Sequence, residues 1–111
     1  MSVETRTVLL TSDGSGDASG SINCNGILRG IALNSVVTPT DQWDVAVTDG
    51  NGTALFTDTG VGSAANEFAI PSVAGTVGAN GLLYPVAGSL SVVGANMGNA
   101  KSANVIFYVE V

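Results

Sequence analysis

Short runs of alternating apolar and polar residues make up most of the chain, and turn-forming residues separate them at intervals of about ten positions. Alternation of this kind is typical of β-strands that bury one face. No stretch repeats apolar residues at helical spacing, and 15 glycines interrupt the places where a helix could run. The pattern predicts a single all-β domain over residues 1–111, with about seven or eight short antiparallel strands. It fits a β-sandwich (jelly-roll-like or immunoglobulin-like) or a partly closed barrel.

Two segments carry the clearest strand signals. Residues 43–57 predict a β-hairpin, because Asp49-Gly50-Asn51-Gly52 supplies the residues that adopt positive φ angles in tight turns. Residues 103–111 predict the last strand, with Val105, Phe107, Val109 and Val111 on one face. The other predicted strands cover residues 5–11, 18–22, 27–33, 82–86 and 89–93, with a turn at 25–26 and a long loop over 58–80 that includes one or two minor strands.

Arg29 interrupts the apolar face that Ile27, Ile31 and Leu33 would form in the third predicted strand. A charge at such a position predicts either the edge of a sheet or an ion pair.

The composition excludes most kinds of chemistry. The chain has no histidine, three basic residues in total, a net charge of −6 and only 11% charged residues, against about 25% in a typical domain. A nucleic-acid binder needs clustered Lys and Arg, and an anionic membrane surface would repel this chain. No histidine-based catalytic triad can form. We therefore predict no enzyme activity, no cofactor, no metal, and no nucleic-acid or membrane partner.

Several residues resemble functional sites when they are considered alone. Asp13 and Asp17 are spaced like the first ligands of a calcium loop, but Cys24 stands where a bidentate carboxylate is needed, which favours a polar turn. Asp41 and Asp44 could form a glycosidase carboxylate pair, but that chemistry needs an aromatic-lined cleft. Alternation places Trp43 and Phe107 in the core instead. We expect Cys24, the single cysteine, to be a small buried thiol.

Three parts of the chain together resemble a known family. They are the turn at 11–18 with the strand at 26–31, the hairpin at 43–49 with residues 54–56, and the tail through 85–93, 98–102 and Tyr108. The chain resembles the small all-β virion proteins of tailed bacteriophages, known as head decoration or capsid cement proteins. The resemblance implies binding to the outside of the major capsid protein, often as a homotrimer, which stabilises the head.

The same resemblance implies a location on the capsid surface of the virion. The opening residues contain no apolar stretch, so we expect synthesis in the host cytoplasm without a secretion signal. Two alternatives stay open. One is a tail, collar or other phage structural component. The other is a carbohydrate-binding β-sandwich module, which the scarcity of aromatic residues disfavours.

The segments predicted to contact a partner are the N-terminal segment, the long loop over 58–80 and residues 82–85. A long loop in a compact domain is usually functional or bound to a partner. The candidates are Tyr84, Pro85, Leu82, Leu83 and Phe68.

Among these, Tyr84 offers the most direct test. We expect Tyr84→Ala to weaken assembly without unfolding the domain, because an aromatic side chain at an interface contributes buried apolar area. Occupancy on the particle and the melting temperature are the two measurements. Unchanged occupancy would remove Tyr84 from the predicted contacts.

Overall fold

One continuous antiparallel sheet forms the fold. The computed structural model describes residues 2–63, 66–69 and 84–111, and within those ranges the chain has seven strands and no helix. They are β1 (Val3–Thr11), β2 (Ala18–Val37), β3 (Trp43–Asp49), β4 (Ala54–Val61), β5 (Asn66–Ala69), β6 (Tyr84–Ala95) and β7 (Ser102–Glu110). Their order in the sheet is β1-β7-β2-β6-β3-β4, and β5 also pairs with β2. The prediction of an all-β, antiparallel, sandwich-like fold is confirmed.

No helix in the described ranges has the length and apolar character needed to cross a membrane.

The longest strand, β2, connects the two halves of the sheet. Residues 18–28 of β2 pair with β6, whereas residues 27–37 pair with β7 and residues 31–34 with β5. The sequence prediction of two separate strands with a turn at 25–26 is therefore wrong. Gly26 has a φ of +150°, and the chain continues through it as one strand. A Cβ at Gly26 would lie 2.5 Å from the carbonyl oxygen of Glu110, so only glycine allows β7 to come this close.

The sheet folds over on itself along β2 to give two layers. We call β1, β7, β5 and residues 27–37 of β2 the first layer, and residues 18–28 of β2 with β6, β3 and β4 the second layer. Strand β1 packs across the second layer without pairing to it. A Cβ at Gly20 would lie 2.6 Å from Cγ1 of Val8, and a Cβ at Gly94 would lie 3.3 Å from Cδ1 of Leu10. Glycines in β2 and β6 thus let the two layers approach closely.

The core lies between these layers and includes both large aromatic residues assigned to it from the sequence. Trp43 and Phe107 have no exposed surface, and the Trp43 indole N–H donates to the carbonyl of Gly62 at 3.3 Å. Burying a side chain of this size stabilises the fold by roughly 2–3 kcal/mol. The other fully buried large side chains include Leu10, Leu28, Ile31, Leu33, Val45, Val47, Leu55, Val61, Leu90 and Met97.

Two residues do not share the buried apolar face on which the sequence placed them. Ile27 is only partly buried, and Leu28 lies in the core in its place. The register of β2 on β7 shifts between Leu28 and Gly30, and this bulge at Arg29 reverses the alternation. Val111 is 48% exposed because β7 ends at Glu110, one residue earlier.

The predicted hairpin is confirmed as β3 and β4. The Asp49 carboxylate accepts hydrogen bonds from the backbone N–H groups of Asn51 and Thr53, both at 2.9 Å, and so stabilises the turn.

Strand β4 extends to Val61, which shortens the predicted long loop, and β5 is one of its expected minor strands. The predicted strands at 82–86 and 89–93 contribute to one strand, β6. Residues 64–65 and 70–83 lie outside the described residues.

The bend at Gly26 provides a test of this architecture. We expect Gly26→Ala to destabilise the protein by about 3 kcal/mol, because the added Cβ would meet a backbone carbonyl that cannot rotate away. Urea unfolding monitored by circular dichroism measures the change. Gly14→Ala is the matched control, since no heavy atom lies within 4 Å of a Cβ built there. Equal stability of the two variants would show that β2 does not depend on close packing at Gly26.

Candidate interaction surface

Exposed large hydrophobic residues are concentrated on one layer of the fold. Of the six identified among the described residues, five belong to the first layer or follow it directly, and only Val93 belongs to the second. Val3 and Leu9 on β1 are 54% and 55% exposed. The other three on the first layer are Val36, Val37 and Val111. This uneven distribution points to the first layer as the candidate interaction surface.

Strand register shows which residues share the outward side of the first layer. Three rows cross β1, β7 and β2, and they are Thr5–Tyr108–Gly30, Thr7–Ile106–Ala32 and Leu9–Asn104–Asn34. Gly30 is itself buried, and we call the other eight residues, together with Val3 and Val36, the outer face. None of them is charged. A face of this composition loses little free energy when water is removed, because no charge has to be desolvated.

Charge lies at one end of the outer face. Arg29 Nη1 donates to Glu110 Oε1 at 3.1 Å, which confirms one of the two readings of Arg29, a paired charge. Glu110 is opposite Val3 on one side and Ile27 on the other, so the pair lies beyond the Thr5 row. The outer face therefore keeps an uncharged centre.

The outward side of the second layer has a different chemistry. Its positions on β2 are Ser19, Ser21 and Asn23, and the residues paired with them on β6 are Val93, Ser91 and Ser89. Apart from Val93, these are small polar residues. At these positions of β2 and β6 the second layer is thus more polar than the outer face, which is the side better suited to bury area against a partner.

The predicted contact residues fall along one edge of β2. Tyr84 and Pro85 pair through their backbones with Leu28 and Ile27, and Phe68 pairs with Ala32. Strand β7 occupies the opposite edge of β2 at these positions, so β5 and β6 follow one another along the same edge. Leu82 and Leu83 lie outside the described residues. The roles of all five as partner contacts stay predictions.

The N-terminal segment was predicted to contact a partner, but the exposed valines and leucine of the first layer were not named individually. Val3 and Leu9 are in phase with Thr5, Thr7 and Thr11, which all face outward. Their positions among outward threonines were a usable signal. It was missed because an isolated apolar residue in a strand is more often buried.

The acidic residues considered as sites each bind backbone or amide groups. Asp13 Oδ1 accepts from the N–H groups of Ser15 and Asp17, at 2.9 and 3.1 Å, which is the predicted polar turn. Asp41 Oδ1 accepts from Ser63 N–H at 3.2 Å, whereas Asp44 Oδ2 accepts from Asn96 Nδ2 at 2.7 Å. Asp41 and Asp44 therefore hold different loops. Among the described residues, no three His, Cys, Asp or Glu side chains are grouped as a metal site would require.

A shallow depression lies where β1, β2 and β6 come together. It is lined by Thr11, Asp13, Asp17, Ala18, Ser19, Val93, Gly94 and Ala95. None of these side chains is aromatic, so the depression lacks the stacking surface with which proteins commonly bind sugars.

Cys24 is the buried thiol that the sequence predicted. It is 3% exposed and forms no disulfide. Burial raises the pKa of the Cys24 thiol because it disfavours the charged thiolate, and the positive charge of Arg6 offsets part of that rise. The thiol is therefore neutral and inert at physiological pH.

Comparisons with known proteins identify no family for this chain. No protein-family model and no curated protein sequence matches it. A solved structure of the giant freshwater prawn Macrobrachium rosenbergii extra small virus (XSV) VLP is similar at 14% sequence identity and a TM-score of 0.37. That alignment covers 97% of this chain and 79% of the viral chain. A likeness of this degree carries no conclusion about function.

Cys24 gives a pH-dependent prediction. Its folded pKa is raised above the reference value of 9.0, so the unfolded chain ionises first as pH rises. This contribution to stability is present below pH 9 and decreases between the unfolded and the folded pKa, by up to about 1.4 kcal/mol per pH unit. Urea unfolding at pH 7 to 10.5 measures it, with Cys24→Ala as the control that should lack this slope. Identical slopes in both proteins would contradict the prediction.

Proposed function

We propose that the protein is a non-catalytic structural component of a virus particle, and more specifically a cement or decoration protein on the outside of a tailed-phage head. The observation that carries this proposal is the uncharged, partly apolar outer face, defined by Leu9, Ile106, Tyr108 and their neighbours in register. The resemblance of the sequence to phage decoration proteins supplies the identity of the particle. The chain would act by binding across neighbouring subunits of the major capsid protein.

Such binding buries surface area whose removal from water costs little free energy. A partner can cover a face of Thr, Asn, Ile and Leu without leaving a buried charge unpaired. A standard stable interface buries about 1,600 Å² in total, counted over both partners. Many copies on one shell then stabilise it together, even where each contact is weak.

The residue inventory is consistent with a role without catalysis. The chain has no histidine, and its one thiol is buried. Its carboxylates Asp13, Asp41 and Asp44 are engaged in turns and loop contacts. These groups hold the fold together and are poorly placed to act on a substrate.

Binding to shells that lack the protein is the decisive experiment. We expect the wild-type chain to bind such shells saturably and to raise their rupture temperature. Leu9→Arg places a charge on the outer face, at its β1 side, and should weaken binding at least about tenfold, because the charge would be desolvated without a partner. Sedimentation of shells with labelled protein measures the bound fraction.

Ser21→Arg is the matched control, since it adds the same charge to an exposed position on the second layer. We expect this variant to bind like the wild type. If Ser21→Arg abolishes binding and Leu9→Arg does not, the outer face is not the docking surface. Absence of binding to any shell, together with binding to a glycan, would replace the proposal with the carbohydrate-binding alternative.

A further inference from the structure

Strand β1 is a long, regular edge of the sheet. It pairs with β7 from Val3 opposite Glu110 to Thr11 opposite Ser102, without a register shift, and in the described part of the sheet it pairs with no other strand. The edge strand β4 is interrupted by two register shifts against β3, and the described part of β5 covers four residues. Bulges and shortness are ways in which proteins block strand addition. β1 has neither protection, so it is the edge best suited to accept another strand.

The charges on β1 are arranged symmetrically about one residue. Glu4 and Arg6 flank Thr5, lie on the inward side of the strand, and form an ion pair of 2.7 Å between Glu4 Oε2 and Arg6 Nη2. Their side chains are 44% and 41% exposed, because they lie at the open border of the two layers. Charges at such a position either discourage strand addition or select a partner strand with complementary charges.

We propose that β1 pairs in antiparallel register with β1 of a second copy of this chain, with Thr5 on the two-fold axis. An antiparallel pair on such an axis requires one residue to lie opposite its own copy, since only then do both copies keep the same face inward. With Thr5 on the axis, Glu4 lies opposite Arg6 of the other copy, and Arg6 opposite Glu4. Two intermolecular ion pairs then add to the one already present within each strand.

Other registers lack this complementarity. An axis at Glu4 or at Arg6 sets two like charges opposite each other, which is unfavourable. An axis at Thr7 gives a longer overlap but sets Arg6 opposite Val8 and Glu4 opposite Leu10, so that charges meet apolar side chains. The sequence Glu-Thr-Arg thus selects Thr5 as the centre.

The contact joins the first layers of two copies into one larger sheet. Among the described residues the overlap runs from Ser2 to Val8, and Leu9, the residue that tests shell binding, follows it directly. A two-fold contact predicts a dimer of the free chain and not the trimer that the family resemblance implied. The proposal does not rest on the shell-binding role, because it concerns the purified chain alone and is tested without shells.

Disulfide trapping tests the register. In the proposed pair, the two Thr5 Cα atoms lie about 4.5–5.5 Å apart, within the range of about 4.4–6.8 Å that a disulfide spans. Thr5→Cys should give a covalent dimer on mild oxidation, seen on a non-reducing gel. Thr7→Cys is the matched control and should stay monomeric, because its copies would be several residues apart. A covalent dimer of Thr7→Cys in preference to Thr5→Cys would overturn the proposed register.

Charge variants test the interaction in solution. Light scattering across a concentration series should show a dimer of the wild-type chain that weakens at high salt. Arg6→Glu sets Glu opposite Glu and should raise the dimer dissociation constant at least about tenfold. The double variant E4R/R6E restores opposite charges and should dimerise again. Arg29→Glu is the control, because Arg29 has a similar exposure and ion pair but lies on β2.

The neutral variant E4Q/R6Q separates the two possible uses of the charges. If they select the partner strand, its dimer is weaker than that of the wild type. If they protect the edge, its self-association is stronger, and the proposal is wrong. A wild-type chain that stays monomeric at millimolar concentration would also overturn it. Circular dichroism and melting temperature confirm that each variant is folded.

Discussion

The path of β2 through both layers is the constraint on which the rest of the structure depends. One half of this strand pairs with β6, and the other pairs with β7 and β5, so a single strand belongs to two layers. Gly26 and the bulge at Arg29 lie where the two halves meet. Because β7 approaches too closely for a side chain at Gly26, the bend relies on a residue without Cβ. The positions of β1, β6 and β7, and hence of the core between the layers, follow from this bend.

Close packing of the layers explains how a chain with few aromatic residues still builds a dense core. Gly20 and Gly94 lie against Val8 and Leu10, and Trp43 and Phe107 fill the wider parts of the interior. Small residues on one layer matched to branched residues on the other give the interdigitation that cores need. Most of the few large side chains are consequently buried, and the surface consists largely of Ser, Thr, Asn and scattered valines.

The placement of charge gives the surface its functional character. The ion pairs of Glu4 with Arg6 and of Arg29 with Glu110 lie at the border of the first layer, not in its centre. The outer face is left uncharged, which suits burial against a larger subunit. The edge of β1, in contrast, carries both signs of charge side by side, which suits pairing with a copy of itself. The two proposed contacts use different chemistry on adjacent parts of one layer and are compatible in one assembly.

The sequence by itself determined the all-β class, the 43–57 hairpin, the last strand and the burial of Trp43 and Phe107, because alternation and turn chemistry are properties of neighbouring residues. Only the tertiary structure decided that residues 18–37 form one strand, that Leu28 replaces Ile27 in the core, and that Leu9 faces outward on an uncharged face. It also decided that Phe68, Tyr84 and Pro85 join the same edge of β2. The physical reason is that each of these features depends on a partner far away in sequence. The backbone of Glu110 shapes the bend at Gly26, and the pairing with β7 creates the bulge at Arg29. Alternation predicts which residues of one strand share a face. The pairing of strands that are distant in sequence decides which face is buried and which residues lie opposite it.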